Sequence, residues 1–421
     1  MIPISAYVII FVASFFIVRV GMKKMFEKHD FTSLKTVTFG DESAVRPDRV
    51  ASVVSILTIF LIWGAFTGSK WMPVHVPGPF LGDTAFTYTV EDGAGAKDDA
   101  SVQVRVFRVG ESVEEPVAEP GEGFAKNDAM SVGAMRSKLL IWDGNDDAKR
   151  KDGAKVVAVE GQPISPGVTV EVPNGTVTMT EKGTLNFAPE KGMQMEAIWL
   201  PPPEAVVARV GEIAREGYQN FTLWEHLGFS LYRVVMGFVL GAIVGIPLGY
   251  AMGLSDWFRG WFDPIVEFMR PVPPLALIPL VIIWAGIGES GKIILLFLAA
   301  LWIMAIAARS GVSGVRISKV HAAYSLGASK WQLMCHVIIP NSLPDIFTGA
   351  RVAMGVCWGT VVAAELVAAE KGVGMMIMVA SRFQLTDIVI MGIILIGLIG
   401  YGIDILFRMA ERWLVPWKGR G

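Results

Sequence analysis

Seven uncharged apolar runs punctuate the chain: Ile2 to Val18, Val50 to Phe66, Val234 to Leu254, Pro271 to Gly288, Ile293 to Ala308, Val352 to Ala364 and Ile388 to Ile403. A hydrocarbon layer about 30 Å thick takes roughly 20 helical residues to cross. The longer runs reach that length alone, and the shorter ones reach it with flanking residues or as buried members of a bundle. About seven transmembrane helices are therefore expected. No basic segment precedes the first run and no small-residue cleavage site follows it, so it is expected to stay as an anchor rather than be removed as a signal peptide.

Between the second and third runs the period changes from helical to alternating. Phe86 to Val90, a turn at Glu91 to Gly95, and Ser101 to Phe107 read as a half-buried antiparallel pair. Val168 to Val172, Gly175 to Met179 and Thr184 to Phe187 read as three more strands, separated by Asn174-Gly175 and Lys182-Gly183 turns. Short strands with Gly-rich turns predict a β-sandwich. The stretches FTYTVEDGAGAKDDASVQVRV and GTVTMTEKGTLNFAPEKG resemble the two halves of bacterial cadherin-like, immunoglobulin-type repeats, with the half that normally comes second standing first. They are either one permuted unit or pieces of two. Glu111 to Gly123, rich in Pro, Glu and Gly, reads as a linker.

Composition sharpens this picture. With 52% hydrophobic and only 18% charged residues, much apolar surface must face lipid, and a net charge of -2 offers no basic footprint for nucleic acid. The two cysteines, Cys335 and Cys357, and five scattered histidines provide neither a disulfide framework nor a zinc motif. Residues 72 to 199 hold 20 of the chain's 39 acidic residues and no apolar run long enough to span. Basic residues concentrate in the connection from Arg19 to Arg49 (Lys23, Lys24, Lys28, Lys35, Arg46), in the loop from Arg309 to Arg351 (Arg316, Lys319, Lys330), and in the tail (Arg408, Arg412, Lys418, Arg420). The positive-inside rule places these three in the cytoplasm. The N-terminus and the β-rich insert then lie outside and the C-terminus inside. Three regions follow: residues 1–67, two helices with a cytoplasmic connection; 68–198, the extracytoplasmic insert; and 199–421, a helical core whose cytoplasmic loop covers 309–350. Within the insert, Asp143-Gly-Asn-Asp-Asp147 has the oxygen-rich composition of a calcium loop, although a solvated turn explains it as well.

The core carries the candidate chemistry. An amphipathic segment follows Pro201, and Gly237, Gly241, Gly245, Gly249 and Gly253 line one helix face, clearing a groove for a close neighbour. The cytoplasmic run Val320-His-Ala-Ala-Tyr-Ser-Leu-Gly, continuing to Val337-Ile-Ile-Pro340, resembles the EAA coupling loop of ABC importer permeases. That pattern is Glu-Ala-Ala, three residues, Gly, nine residues, then aliphatic, any residue, aliphatic and Pro. Ala322, Ala323, Gly327, Val337, Ile339 and Pro340 occupy it, with His321 in place of the glutamate. Small residues let a short helix sit close to a partner, and Pro340 is expected to end the unit before the chain re-enters the membrane.

Ser230-Leu-Tyr-Arg-Val234, Gly245-Ile-Pro-Leu-Gly249, Arg270-Pro-Val-Pro-Pro-Leu-Ala276, Trp284-Ala-Gly-Ile-Gly-Glu289 and Ala363-Ala-Glu365 also look like the taurine, sulfonate and nitrate branch of these permeases. The resemblance covers roughly residues 199 to 418. It implies a type I importer transmembrane domain, a homodimer in the bacterial inner membrane, ATPase subunits docked on the coupling loops, and an external solute-binding protein. ATP and magnesium would be bound by the ATPase, with no cofactor in this chain. Glu365 is a candidate for the solute path, although snorkelling to the outer interface is the simpler account; Arg233, Glu365 and Asp404 should face protein or water rather than lipid. Gly286-Ile-Gly-Glu-Ser-Gly-Lys292 mimics a phosphate loop, but Ile293 stands where a magnesium-binding hydroxyl belongs. The competing reading is a membrane-anchored surface or sensor protein that acts through its sandwich. No catalytic constellation supports an enzyme.

Overall fold

Apolar side chains in lipid need no protein cover, and the two N-terminal helices behave accordingly. α1 (Ile2–Met25) and α2 (Arg49–Thr67) leave Val8, Ile9, Ile17, Val53, Ile56 and Leu57 exposed. The computed structural model describes residues 2–25, 49–109, 113–119, 121 and 123–417, in two units, Met1–Glu204 and Ala205–Gly421. Lys28, Lys35, Arg46, Lys418 and Arg420, all used above to orient the chain, lie outside the described residues, as does part of the 111–123 linker.

The insert is one sandwich. β1 (Gly82–Glu91), β2 (Lys97–Phe107), β3 (Asp128–Gly133), β5 (Lys155–Val159) and β6 (Gln162–Pro163) form a sheet in the order β3-β2-β1-β5-β6. β4 (Lys138–Leu140), β7 (Thr169–Val172), β8 (Gly175–Met179) and β9 (Leu185–Pro189) form the other, in the order β4-β9-β8-β7. Alternate residues of both sheets enter a single core, where the Phe86 and Phe187 rings stack 5.7 Å apart. The two stretches therefore fold together around one shared core. Strands β3 to β6 escaped the sequence reading because they are short or glycine-bearing, and β3 pairs with β2 in parallel.

The calcium composition of residues 143–147 is neutralised from within the chain. Arg150 binds both carboxylate oxygens of Asp143 at 2.8 Å and holds that carboxyl below its usual range. Lys149 Nζ donates to the carbonyls of Asp143 (2.8 Å) and Gly144 (3.1 Å), and Lys126 Nζ lies 3.3 Å from Asp147. Asp146, between them, accepts from the Lys126 N–H through Oδ1 at 2.6 Å, and its buried Oδ2 has no partner. Among the described residues no group of three or more His, Cys, Asp or Glu is placed to hold a metal.

In the second unit, α3 (Pro203–Glu216) precedes α4 (Leu223–Leu254), whose start is fixed by a capping box between Thr222 and Glu225. The glycine face of α4 packs on α7 (Glu289–Ser313). A Cβ at Gly237 would meet Leu296, at Gly241 Ala300, at Gly245 Met304, at Gly249 Ala308 and at Gly253 Val312. The two sets of numbers rise together, so the helices run parallel. The chain between them must therefore return to the side it left.

That return is not the simple span expected over 271–288. α5 (Asp256–Met269) meets the segment 274–285, which ends in α6 (Ile278–Ala285), at 94°. Eight residues of α6 reach only about 12 Å at 1.5 Å per residue, and the break falls where Pro271, Pro273 and Pro274 remove N–H donors. Five helices are long and apolar enough to cross alone, or six if the bent pair counts as one. α1 is apolar over the shorter stretch Ser5–Gly21; counted as a crossing, it would bring the total to the seven expected. The remaining elements are α8 (Ile317–Ser325), α9 (Lys330–Leu333), α10 (Ile339–Ala368), α11 (Val373–Arg382) and α12 (Thr386–Leu414). α4, α7 and α10 share the core through Val234, Leu296, Met304, Ala353, Cys357 and Val361.

Candidate functional site

The 309–350 loop is a chain of short helical elements that leads into α10. α8 closes with Gly327 at φ +83°: its N–H donates to Tyr324 O (3.0 Å) and the N–H of Ala328 to Ala323 O (3.1 Å). This is the Schellman pattern, which needs glycine at that position because a side chain is strained in the left-handed region. A Cβ there would meet nothing in this chain within 4 Å. Gly327 thus shapes the turn, rather than making room inside the protomer. Ser329 Oγ then accepts from Gln332 N, and the Ser329 N–H donates to Gln332 Oε1 (2.9 Å), a capping box that starts α9.

A π-helical turn, Met334–Ile338, joins α9 to α10. Pro340 does not end the unit. It sits in the first turn of α10, within a helical passage that continues from Lys330 to Leu366, and the wider π turn accommodates the missing N–H. Trp417 Nε1 donates to the Pro340 carbonyl at 3.2 Å.

The expected loop residues separate into tip and root. His321, Ala322 and Gly327 are exposed, and Ala323 is half-buried. Val337, Ile339 and Pro340 are half-buried beside Leu333 and Ile338, which enter the core of α4, α7 and α10. The sequence reading missed the apolar tip: Leu326 is 89% exposed, Trp331 75%, and Tyr324 and Ile317 66% each. The signal was present as large apolar residues within a basic loop. An uncovered apolar tip on a rigid root suits a partner protein.

Glu365 does not snorkel. It is 1% exposed and lies at the centre of a buried cluster. Its carboxylate accepts from Arg233 Nη1 (2.5 Å), Ser230 Oγ (2.8 and 3.0 Å) and Gly374 N (2.9 Å). Arg233, fully buried, also donates to the Lys371 carbonyl (2.8 Å) and, with two bonds of 2.6 Å, to Glu289. Four elements, α4, α7, α10 and the turn before α11, are thereby joined by charge-assisted bonds. Burying an arginine is tolerable only with this saturation. Asp404 pairs with Arg351 (3.0 Å) and Arg408 (2.5 Å), so all three charged residues flagged in apolar spans have protein partners.

Residues 237–416 match the model of the family described as "Binding-protein-dependent transport system inner membrane component". The taurine transport system permease protein TauC of Escherichia coli K12 is 42% identical over 258 residues, 61% of this chain and 92% of that one. The putative aliphatic sulfonates transport permease protein SsuC of the same organism is 42% identical over 219 residues, 52% of this chain and 82% of that one. The bicarbonate transport system permease protein CmpB of Synechococcus elongatus is 31% identical over 202 residues, 48% and 72% of the two chains. A chain of the inward-facing MetNI methionine ABC transporter aligns with a TM-score of 0.38 at 19% identity, over 45% of this chain and 93% of that one.

Proposed function

The chain belongs to the family of binding-protein-dependent transport inner membrane components, and from that premise we propose the solute, the assembly and the residues through which it works. It is the permease subunit of an ATP-driven ABC importer for a small solute, a multi-pass inner-membrane protein acting with a separate ATPase and a solute-binding protein. The reading as an anchored surface protein falls with that membership.

The solute is a small sulfonate of the taurine class, supported by the identity to TauC and SsuC. Two copies form the conduit, with the N-terminus and the sandwich outside and the C-terminus inside. The observation that carries the mechanism is the 317–333 lever: an apolar tip of Ile317, Tyr324, Leu326 and Trp331 on a root fixed in the helical core. ATP-driven movement of a partner bound to that tip passes to α10 through the π turn, and thence to the helices α10 packs against. His321, Ala322 and Ala323 lie along the same helix, α8, and Gly327 sets its exit.

Gly327→Asp tests this. Forcing a side chain into the left-handed turn costs about 1 kcal/mol, too little to unfold the chain, while it places a charge on the docking surface. The variant should insert and purify normally, with binding-protein-stimulated ATP hydrolysis and uptake falling together. His321→Glu should transport as well as the parent. Full uptake by Gly327→Asp in reconstituted vesicles would show that this turn is not the coupling element.

A further inference from the structure

Proline removes the N–H that a helix would send to the carbonyl four residues back, and its ring crowds that carbonyl. α10 meets this twice within one turn, at Pro340 and Pro344. The π turn answers the first, because it shifts the register so that the Ile339 N–H reaches the Met334 carbonyl. Through the second the chain stays α-helical. Pro344 therefore leaves the Pro340 carbonyl, at the root of the lever, without its regular helical donor.

Side chains serve the carbonyls around it. Asn341 Nδ2 donates to the Val337 carbonyl (2.6 Å) and Ser342 Oγ to the Ile339 carbonyl (2.9 Å), both from within α10. Trp417 Nε1 comes from beyond α12 and donates to the Pro340 carbonyl (3.2 Å). The first two donors are tied to other elements: Lys319 Nζ of α8 donates to Asn341 Oδ1 (2.7 Å), and the Tyr250 hydroxyl of α4 bonds Ser342 Oγ (2.6 Å). Trp417 is tied through its own chain. Two residues before it, Val415 is 2% exposed, and its N–H extends the last turn of α12 to the Glu411 carbonyl (2.8 Å).

Resting on the lever reading above, we propose that Trp417 is a positioning residue of the coupling hinge: its indole N–H stands in for the donor that Pro344 removes, and latches the root of the lever to the end of α12. Farther along, α12 is already bonded to α10, where Trp358 Nε1 donates to the Ile396 carbonyl (3.0 Å) and Arg351 pairs with Asp404 (3.0 Å). The latch extends that contact to the hinge itself. With it made, movement of the lever carries α10 and α12 together. Without it, the turn weakened by two prolines flexes, and α10 lags behind the lever.

The test uses the full chain reconstituted with its ATPase and a taurine-loaded binding protein, and reads taurine imported per ATP hydrolysed. The Trp417 ring is 43% exposed, so Trp417→Phe removes the N–H without emptying a core. It should lower the ratio about fivefold, the factor that one net hydrogen bond represents, while hydrolysis itself continues. Pro344→Ala returns a backbone N–H to position 344, and in that background the same substitution should change the ratio by less than about twofold. Hydrogen exchange needs no solute and should agree: the amides of 341–346 should exchange about fivefold faster in Trp417→Phe, and no faster in the double variant than in Pro344→Ala alone. A parental ratio or parental exchange in Trp417→Phe overturns the proposal. So does an equal loss in both backgrounds, which would mean that Trp417 acts through packing rather than through that carbonyl. Failure of the underlying readings shows in the unmutated complex instead. If it imports no taurine, the solute reading fails there and exchange alone decides the latch; if its ATPase never contacts position 326, the lever reading fails and this proposal falls with it.

Discussion

Arg233→Met should destabilise the helical unit by about 3–5 kcal/mol, the cost of leaving a buried charge without its partner. Glu365 has no surface to retreat to at 1% exposure, and the variant strips it of the 2.5 Å guanidinium bond. The same change frees Glu289 and the Lys371 carbonyl. Ser230 Oγ and Gly374 N would remain on Glu365, but neutral donors do not replace a cation. In detergent, the unfolding midpoint should drop steeply, or the variant should fail to accumulate. Adding Glu365→Gln, which removes the orphaned charge, should recover much of the loss. A single variant as stable as the parent would mean that the cluster is solvated in the working protein.

Gly249→Leu should be nearly as damaging for a different reason. A Cβ at Gly249 would stand 2.3 Å from the Ala305 carbonyl and 2.6 Å from the Ala308 Cβ, so any side chain must push α4 away from α7 along the whole glycine face. Helix association in lipid depends on such close packing, and overpacking costs about 1–3 kcal/mol even where neighbours can shift. Here the neighbour is backbone. Stability and assembly should both fall, whereas Gly397→Ala, with nothing within 4 Å of its Cβ, should be silent. Equal behaviour of the two variants in a thermal unfolding series would show that α4 and α7 are not held this closely.

The glycine face and the main strand pairs were legible because each is a local pattern with a period or a fixed spacing. The bend after α5 was legible only in part. Three prolines marked the break, but hydropathy alone counts an apolar run as a crossing whatever its angle. Glu365 was misjudged because its partners are distant in sequence. Arg233 and Ser230 lie on another helix, and nothing in a one-dimensional pattern says which helices meet. Pro340 failed for the opposite reason: a local rule about proline was overridden by the π turn just before it. In the 317–333 segment, small residues drew attention to the helix, while the large exposed apolar surface belongs to Leu326 and Trp331 beside them.

The claim that this chain is the membrane half of an ATP-driven importer, moved through its 317–333 lever, is tested most directly by contact at the tip. A photo-reactive amino acid at Leu326, 89% exposed and free of the chain's own packing, should cross-link to the ATPase subunit in isolated complexes, and the yield should change between nucleotide-free and ATP-trapped states. The same group at Gly397, in the middle of α12, should give no such product. ATPase that copurifies and hydrolyses ATP, yet never cross-links to position 326 in either state, would contradict the account.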